Sequence, residues 1–536
     1  MALRTATHIA HLRAPRGAAA SAPLTRDPDA LAGFLADAAY LPGGHAAALV
    51  RPRNEAELAA ALRSSGPFLP IGAQSSVTGG ATPYGETLLS LQHFAQLELE
   101  GARVRAGAGV SLSDLRGYLE ERGACFPPVP TFEGAQVGGA VSTGASGPAT
   151  FKYGGVRGGV CALTVVLASG EVLDLERGQV RAHPDGCFEL RGPAGTRRVP
   201  VPGYRMPPVP KCSAGYFAAP GMDLLDLFIG AEGTLGVITE VTLEVVRPLP
   251  RRCVALIPCP DEARALALTA ALRALALEGR ASGRPELPDV SAIEYLDARC
   301  LEVLRADGAD RRCAVRLDRA DGALLLVQLE LSEAQAERAL VDLESALGDG
   351  PPLGPLGRLA RLLEAHALLE RSELALPGDT RRAAQFLALR EAVPSALNAR
   401  LARLQGGGQP QLSKVGADMI VPFEHLPQAL AIYRQGFEAA GLDYAVWGHV
   451  SDGNLHPNLI PHRPEDLEPA RRAVLEFGRA VRALGGSPLA EHGVGRSAVK
   501  KRLLRDLYGN AGLEAMRAVK RALDPDWKLA PGNLFD

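Results

Sequence analysis

A chain of 536 residues is too long for one ordinary hydrophobic core, so at least two lobes are expected. Its 58 basic and 60 acidic side chains nearly cancel and form no long block of one sign, which argues against a nucleic-acid partner. Eight cysteines are scattered without a C-x-x-C pair; this argues against an iron-sulfur cluster, a thiolate zinc site and a secreted disulfide framework, and implies reduced, mostly buried thiols in a cytoplasmic protein.

Residues 1–27 contain Arg4, Arg13, Arg16 and Arg26 among many alanines, lack the apolar core of a secretory signal, and read as a frayed tail. From residue 46, short β-rich runs alternate with helical patterns: helix 55–64, strands 68–71 and 88–91, and helix 111–122 capped by Ser111 or Ser113. A strand pair is expected at 164–167 and 171–175 around Ser169-Gly170, and the lobe closes near Arg247-Pro248. Beyond Pro250 the composition shifts to Ala, Leu, Arg and Glu at helical spacing, with strands such as 253–257 and 323–331, which defines a second, substrate-facing domain. Segments 348–357 and Gly406-Gly407-Gly408 read as long loops inside it. The most apolar later stretch, 263–277, is interrupted by Arg264 and Arg273 and falls short of the ~20 residues that cross a bilayer, so any membrane contact is peripheral.

Buried phosphates are held best by backbone N–H groups, which small residues allow to approach closely. Two runs have this character: 70–80, Pro-Ile-Gly-Ala-Gln-Ser-Ser-Val-Thr-Gly-Gly, which follows a strand, and the small-residue run 137–147 after Pro127-Pro128-Val129-Pro130. Neither is a G-x-G-x-x-G fingerprint; the nearest approach, Gly107-Ala108-Gly109-Val110-Ser111-Leu112, lacks the third glycine, which disfavours a nicotinamide-binding Rossmann domain. Together with Phe151-Lys152-Tyr153-Gly154 and the run 230–239, Gly-Ala-Glu-Gly-Thr-Leu-Gly-Val-Ile-Thr, these segments resemble the FAD-binding PCMH-type domain of the vanillyl-alcohol oxidase family. The resemblance implies that the first run wraps the FAD pyrophosphate, the second lines the adenine and isoalloxazine side, and the Glu-Gly-Thr-Leu-Gly turn closes the site. It places Gly72, Ala73, Gln74, Ser75, Ser76 and Gly79 of the first run near the cofactor, with Gly139, Ser142, Thr143 and Gly147 of the second, and Glu232 and Ile238. Some members attach the flavin through a histidine in the pyrophosphate loop; this loop has none, which implies non-covalent FAD.

The run 447–456, Trp-Gly-His-Val-Ser-Asp-Gly-Asn-Leu-His, reads as strand, Asp-Gly turn, strand, and brings His449 and His456 to the rim of one hairpin, where they are candidates to share a metal. Ala490-Glu491-His492-Gly493-Val494-Gly495 adds a carboxylate and an imidazole in a glycine-bounded turn before a basic helix; two histidines and one carboxylate form a common open metal site. These motifs, with the terminal 520–525 and 529–535 segments, resemble the FAD-linked oxidase C-terminal domain of D-lactate dehydrogenases, glycolate oxidase large subunits and D-2-hydroxyglutarate dehydrogenases.

The resemblance implies an α+β fold: an N-terminal extension over 1–40, a two-subdomain FAD-binding lobe over 41–248, and a substrate or cap domain over 249–536 whose last segment returns to the FAD lobe. It further implies that His449, His456 and Glu491 bind a divalent metal (zinc, manganese or iron), that His492 is the general base, and that Arg390 pairs with the substrate carboxylate. Lys414 is a second candidate for that carboxylate, with a solvated lysine as the equal alternative. The expected reaction is oxidation of a small D-2-hydroxy acid of the D-lactate or glycolate type, with hydride transfer to the flavin and a quinone, cytochrome or electron-transfer flavoprotein as acceptor. An alkyl-glycerone-phosphate synthase-like flavoenzyme and a non-enzymatic flavin-binding subunit are the alternatives; the first carries consecutive histidines in its cap, and no adjacent histidine pair occurs here.

Overall fold

The computed structural model describes residues 7–18, 21–348, 354–406, 412–413 and 415–536. The chain forms two compact α+β units: Met1–Gly147, Gly154–Pro248 and Ser487–Asp536 make one, and Pro148–Tyr153 with Leu249–Gly486 make the other. The last fifty residues thus return to the first unit, as the resemblance implied.

The first unit contains two sheets. The smaller has the strand order Leu24–Thr25, Ala48–Val50, Thr87–Ser90, Phe68–Ile71, with the last three parallel. The larger runs Gly195–Pro200, Cys187–Gly192, Ile9–Arg13, Val172–Glu176, Val160–Val166, Val237–Glu244, Arg103–Gly107, Leu97–Glu100. Helix Glu55–Arg63 starts where the Asn54 side chain accepts the Glu57 N–H, and buries Leu58, Ala59 and Leu62 at helical spacing. Those side chains join Val50, Phe68 and Leu89 of the small sheet and Val166, Val172 and Val237 of the large one in one core, so the helix is shared by both sheets.

Two expectations are corrected here. Residues 7–13 are not a frayed tail: Ile9–Arg13 is an inner strand, parallel to Cys187–Gly192 and antiparallel to Val172–Glu176. Arg13, counted as a tail charge, forms paired contacts with the Glu55 carboxylate at 2.6 and 2.9 Å and also reaches Asp174 at 2.9 Å. Within the small-residue run 137–147, Val137–Thr143 is helical and ends at Gly144, whose φ of 62° suits glycine. Residues 354–357 do not continue a loop; Gly354 caps helix Pro355–Ala365, with the Asp342 carboxylate accepting from the N–H groups of Gly354, Leu356 and Gly357. Gly407 and Gly408 lie outside the described residues.

The returning segment is fastened by buried polar bonds. Phe68 N–H donates to Lys528 O and Ala530 N–H to Phe68 O, both at 2.7 Å, which continues the small sheet beyond its last strand. Lys520, on helix Ala498–Leu523, is fully buried and donates to Thr234 O, Asp524 Oδ2 and Leu529 O at 2.8, 2.6 and 2.8 Å.

The second unit is built on an antiparallel sheet in the order Glu373–Ala375, Arg251–Cys259, Ala323–Leu331, Val290–Asp297, Asp443–His449, Asn454–Ile460, Val415–Gly416. Helices Ala298–Asp307 and Thr380–Gly406 cover one face: Cys300, Leu301, Leu304, Phe386, Leu389 and Val393 pack on Val254, Leu256, Leu296, Leu324, Leu326 and Trp447. The short helix Thr150–Tyr153 belongs to this unit, although its motif was grouped by sequence with the flavin-binding runs. Its charges explain the reassignment: Lys152 Nζ lies 2.5 Å from Asp289 and 2.6 Å from Glu330, and the Tyr153 hydroxyl donates to Glu330. All eight cysteines are free thiols and seven are buried. Among the described residues no helix is long and apolar enough to cross a membrane.

Removing one partner of a buried ion pair strands the other, at a cost of about 3–5 kcal/mol. Lys520→Ala is therefore expected to lower the urea midpoint of the protein substantially, and an unchanged midpoint would show that the Asp524 contact contributes nothing.

Candidate functional site

In the first unit, the loop 72–80 leaves the end of strand Phe68–Ile71. The loop is closed by its own polar groups. Gln74, at φ 51°, donates from Nε2 to Phe34 O and Ala81 O at 2.9 and 2.7 Å, while the buried Asp37 carboxylate accepts from Ala81 N–H and the Thr82 hydroxyl at 3.1 and 3.0 Å. Of the residues assigned to the cofactor here, Gln74 thus uses its side chain to shape the loop. Glycine is required at position 79, where φ is +76° and a Cβ would lie 2.1 Å from Leu41 Cδ1.

Helix Val137–Thr143 packs against the turn that begins at Gly230: Gly230 N–H donates to Val141 O at 3.0 Å and Glu232 N–H to Ser142 O at 2.7 Å. The Thr143 hydroxyl donates to Gly139 O at 3.0 Å. Gly139 faces open space where a Cβ would point, whereas Gly147 is pressed on backbone, a Cβ there lying 2.2 Å from Val129 O. Ile238 is buried in strand Val237–Glu244, opposite Val165.

The Glu232 carboxylate faces the returning chain and lies beside Gly80 of the 72–80 loop. Its two oxygens accept the N–H groups of Val494 and Gly495, each at 2.7 Å. Burial pushes its pKa up to about 7 against the opposing pull of those two donors and of Lys500. Asn533 joins the same place, donating to Gly80 O at 3.0 Å and Glu232 O at 3.3 Å, and its buried Oδ1 has no hydrogen-bond partner in the structure. An orphaned acceptor among glycine-rich turns fits a polar ligand such as the flavin nucleotide.

Glu491 and His492 ride on this fastened loop. Gly493 N–H donates to Ser213 Oγ at 2.9 Å, and Lys500 Nζ donates to Gly493 O at 3.1 Å. Glu491 is buried with one oxygen 2.6 Å from Lys211 Nζ and the other 3.6 Å from His492 Nε2. Lys211 is a residue that sequence reasoning missed; its signal was a lone lysine between Pro210 and a run of small residues.

In the second unit, strands Asp443–His449 and Asn454–Ile460 form the expected hairpin, joined through Val450–Asp452 and Gly453 at φ 85°. The register pairs Trp447 with His456 and His449 with Asn454, which sets both imidazoles on one face with ring centroids 5.6 Å apart. Both rings are buried. His449 Nδ1 lies 2.5 Å from Glu294 Oε1, and the other Glu294 oxygen accepts from Arg390 Nε at 2.6 Å. Burial alone would raise the Glu294 pKa, but Arg390 and His449 outweigh it and hold the carboxyl down at about 2. Behind His456 stands Asp418, whose Oδ1 accepts from Asn454 Nδ2 at 3.1 Å and lies 3.6 Å from His456 Nδ1.

The structure thus brings His449, His456 and Arg390 together in the second unit, and Glu491 with His492 in the first. Lys414 lies outside the described residues. Glu294 was missed by sequence reasoning. A carboxylate in the middle of the otherwise apolar run 292–296 was the available signal.

A two-sheet unit with glycine-lined turns, completed by the last fifty residues, and a second unit carrying buried histidines on a hairpin define a two-part flavoprotein. The comparisons specify it: residues 252–534 match the C-terminal domain of FAD-linked oxidases and residues 46–176 match an FAD-binding domain, so the chain belongs to the FAD-linked oxidase family. It is 29% identical over 514 residues to the mitochondrial D-2-hydroxyglutarate dehydrogenase of Bos taurus, covering 92% of this chain and 77% of that protein. It is 26% identical to the glycolate oxidase subunit GlcD of Bacillus subtilis (91% and 88% covered) and 28% identical to the D-lactate dehydrogenase of Anaerostipes hadrus (91% and 89%). Among solved structures, 4-ethylphenol oxidase from Gulosibacter chungangensis shares the fold with a TM-score of 0.61 at 15% identity, over 96% of this chain and 94% of the other. An alkyldihydroxyacetonephosphate synthase also shares it, at 0.55 and 14%, over 90% and 76%. At such identities the structural likeness concerns the fold alone.

A carboxyl whose folded pKa of about 7 exceeds its ordinary 4.5 takes up a proton on folding, so its contribution to stability declines as pH rises from 4.5 to 7 and levels off above. Unfolding midpoints of the parent and Glu232→Gln are expected to diverge in pH slope between pH 5 and 7; parallel slopes would show that Glu232 does not titrate in that window.

Proposed function

We propose that this protein is an FAD-dependent dehydrogenase of the cytoplasm that oxidises a small D-2-hydroxy acid, of the D-lactate or glycolate type, to the 2-oxo acid. The observation that carries the reading is the pair of buried imidazoles on one hairpin face, His449 backed by Glu294 and His456 by Asp418, within an FAD-linked oxidase chain. A fold does not require such a set, and function is argued from the site. The named relatives support the substrate class, and the free thiols support the compartment.

The roles follow from the chemistry of each group. FAD, when bound, supplies the acceptor for the hydride leaving C2. The residues that hold it are Gly72, Ala73, Gln74, Ser75, Ser76 and Gly79 of the first run and Gly139, Ser142, Thr143 and Gly147 of the second, together with Glu232 and Ile238. The absence of a histidine from the loop supports non-covalent binding. His449, His456 and Glu491 are the ligands of a divalent metal that, when bound, lowers the pKa of the substrate hydroxyl. Lys211 neutralises one oxygen of Glu491, which supports an ionised carboxylate in that buried position. His492, more exposed than its neighbour Glu491, accepts the hydroxyl proton. Arg390 orients the substrate carboxylate with its terminal amino groups, since its hydrogen bond to Glu294 uses only Nε; Lys414 assists. The electrons leave to a separate acceptor of the quinone, cytochrome or electron-transfer flavoprotein class.

The reading is tested by anaerobic bleaching of the flavin with a panel of D- and L-2-hydroxy acids, with and without chelator. Bleaching by a D-acid that is lost on chelation is expected, and no bleaching by any acid would overturn the proposal. His492→Ala is expected to keep its flavin while reduction by the same acid slows by about 10²–10⁴-fold. Unchanged reduction would remove His492 from the role of base.

A further inference from the structure

In the second unit, strand alternation puts Glu294 with Leu296, and Trp447 with His449, on the sheet face that carries helix Thr380–Gly406. Glu294 and His449 are direct cross-strand partners. Arg390 follows Phe386 by one helical turn and adjoins Leu389, both of which pack on Leu296, Trp447 and their neighbours. The apolar core between sheet and helix therefore ends in a polar trio: the guanidinium from the helix, the carboxylate from one strand and the imidazole from the next.

We propose that Glu294, fixed by Arg390, is a positioning residue that keeps a proton on Nδ1 of His449 and thereby makes Nε2 the nitrogen that would face a metal. This rests on the reading of His449 as a metal ligand. The warrant is donor arithmetic. Arg390 can only donate, and its Nε–H takes one Glu294 oxygen at 2.6 Å. The other oxygen of an ionised carboxylate can only accept, and it lies 2.5 Å from His449 Nδ1, so the ring proton must sit there. An imidazole that binds a metal is neutral and carries one N–H, so with the proton on Nδ1 the nitrogen left to bind the metal would be Nε2. The side chains of Glu294 and His449 are 2% and 1% exposed, so water offers no competing partner.

The same arithmetic makes an unusual forecast for Glu294→Gln. Arg390 still demands an acceptor, so the carboxamide oxygen stays with Arg390 and its NH2 group faces His449 Nδ1. Nδ1 must then accept, and the proton moves to Nε2. Replacing Arg390 as well, in Glu294→Gln/Arg390→Met, lets the amide turn over and restores the Nδ1–H tautomer.

The experiment is nitrogen NMR of the flavin-loaded, chelator-treated protein labelled in its 11 histidines, with His449→Gln to assign the ring, followed by titration with zinc alone and manganese alone. The parent is expected to show an Nδ1–H ring at His449, Glu294→Gln an Nε2–H ring, and the double variant an Nδ1–H ring again. Metal affinity is expected to fall about 10–100-fold in Glu294→Gln and to recover in the double variant. Retained flavin absorbance in each variant shows that the fold persists. An Nδ1–H ring in Glu294→Gln would overturn the positioning role whatever the metal does. A parent that shows the expected tautomers but binds neither metal would instead overturn the metal reading and leave the positioning role standing.

Discussion

Two oxygens of Glu232 receiving two successive backbone N–H groups are the contact on which the path of the returning chain in the first unit depends. Val494 and Gly495 follow Glu491 and His492 so closely that the carboxylate sets the path of the loop bearing them. The close approach needs glycine: at Gly495, with φ +54°, a Cβ would lie 2.3 Å from Thr78 Oγ1. The 72–80 loop, the 230–236 turn and the returning chain therefore constrain one another. Lys520 completes the fastening by joining the terminal helix to the backbone of Thr234 and Leu529.

In the second unit the organising principle is the placement of charge at the end of an apolar interface. Glu294 is buried at a cost that only Arg390 and the imidazole of His449 offset, which is why its carboxyl stays ionised far below its ordinary range. Asp418 stands in the corresponding relation to His456, with the Asn454 amide between the strands. Each histidine on the hairpin is thus backed by an acid from a different part of the chain, the arrangement that orients imidazole ligands in metal sites generally.

Local signals in the sequence proved sufficient where a segment's structure is decided by its own residues. The Asn54 cap and the spacing of Leu58 and Leu62 define a helix; the Asp452-Gly453 turn between two β-rich runs defines a hairpin; the free cysteines follow from their spacing. They proved insufficient where a partner distant in sequence decides. Residues 9–13 carry no strong strand pattern, and they are a strand because Cys187–Gly192 and Val172–Glu176 leave a place between them. Phe151-Lys152-Tyr153 follows the flavin-type runs in the chain, yet Asp289 and Glu330 fix it in the other unit. The helix at 137–143 was hidden by its glycines, which lower helix propensity but are tolerated where another turn packs closely.

By itself, the sequence determined the family, and it marked the glycine-lined loops, the two histidines of the hairpin and the Glu491-His492 pair, because each of these is a short run of residues whose types and spacing are legible locally. Only the tertiary structure decided what stands behind them. Glu294 and Arg390 are 96 residues apart, and Lys211 and Glu491 are 280 apart, so no local pattern announces either contact. Buried charges must find partners wherever the fold supplies them, and that choice is made by strand register and helix phase rather than by neighbours in the chain.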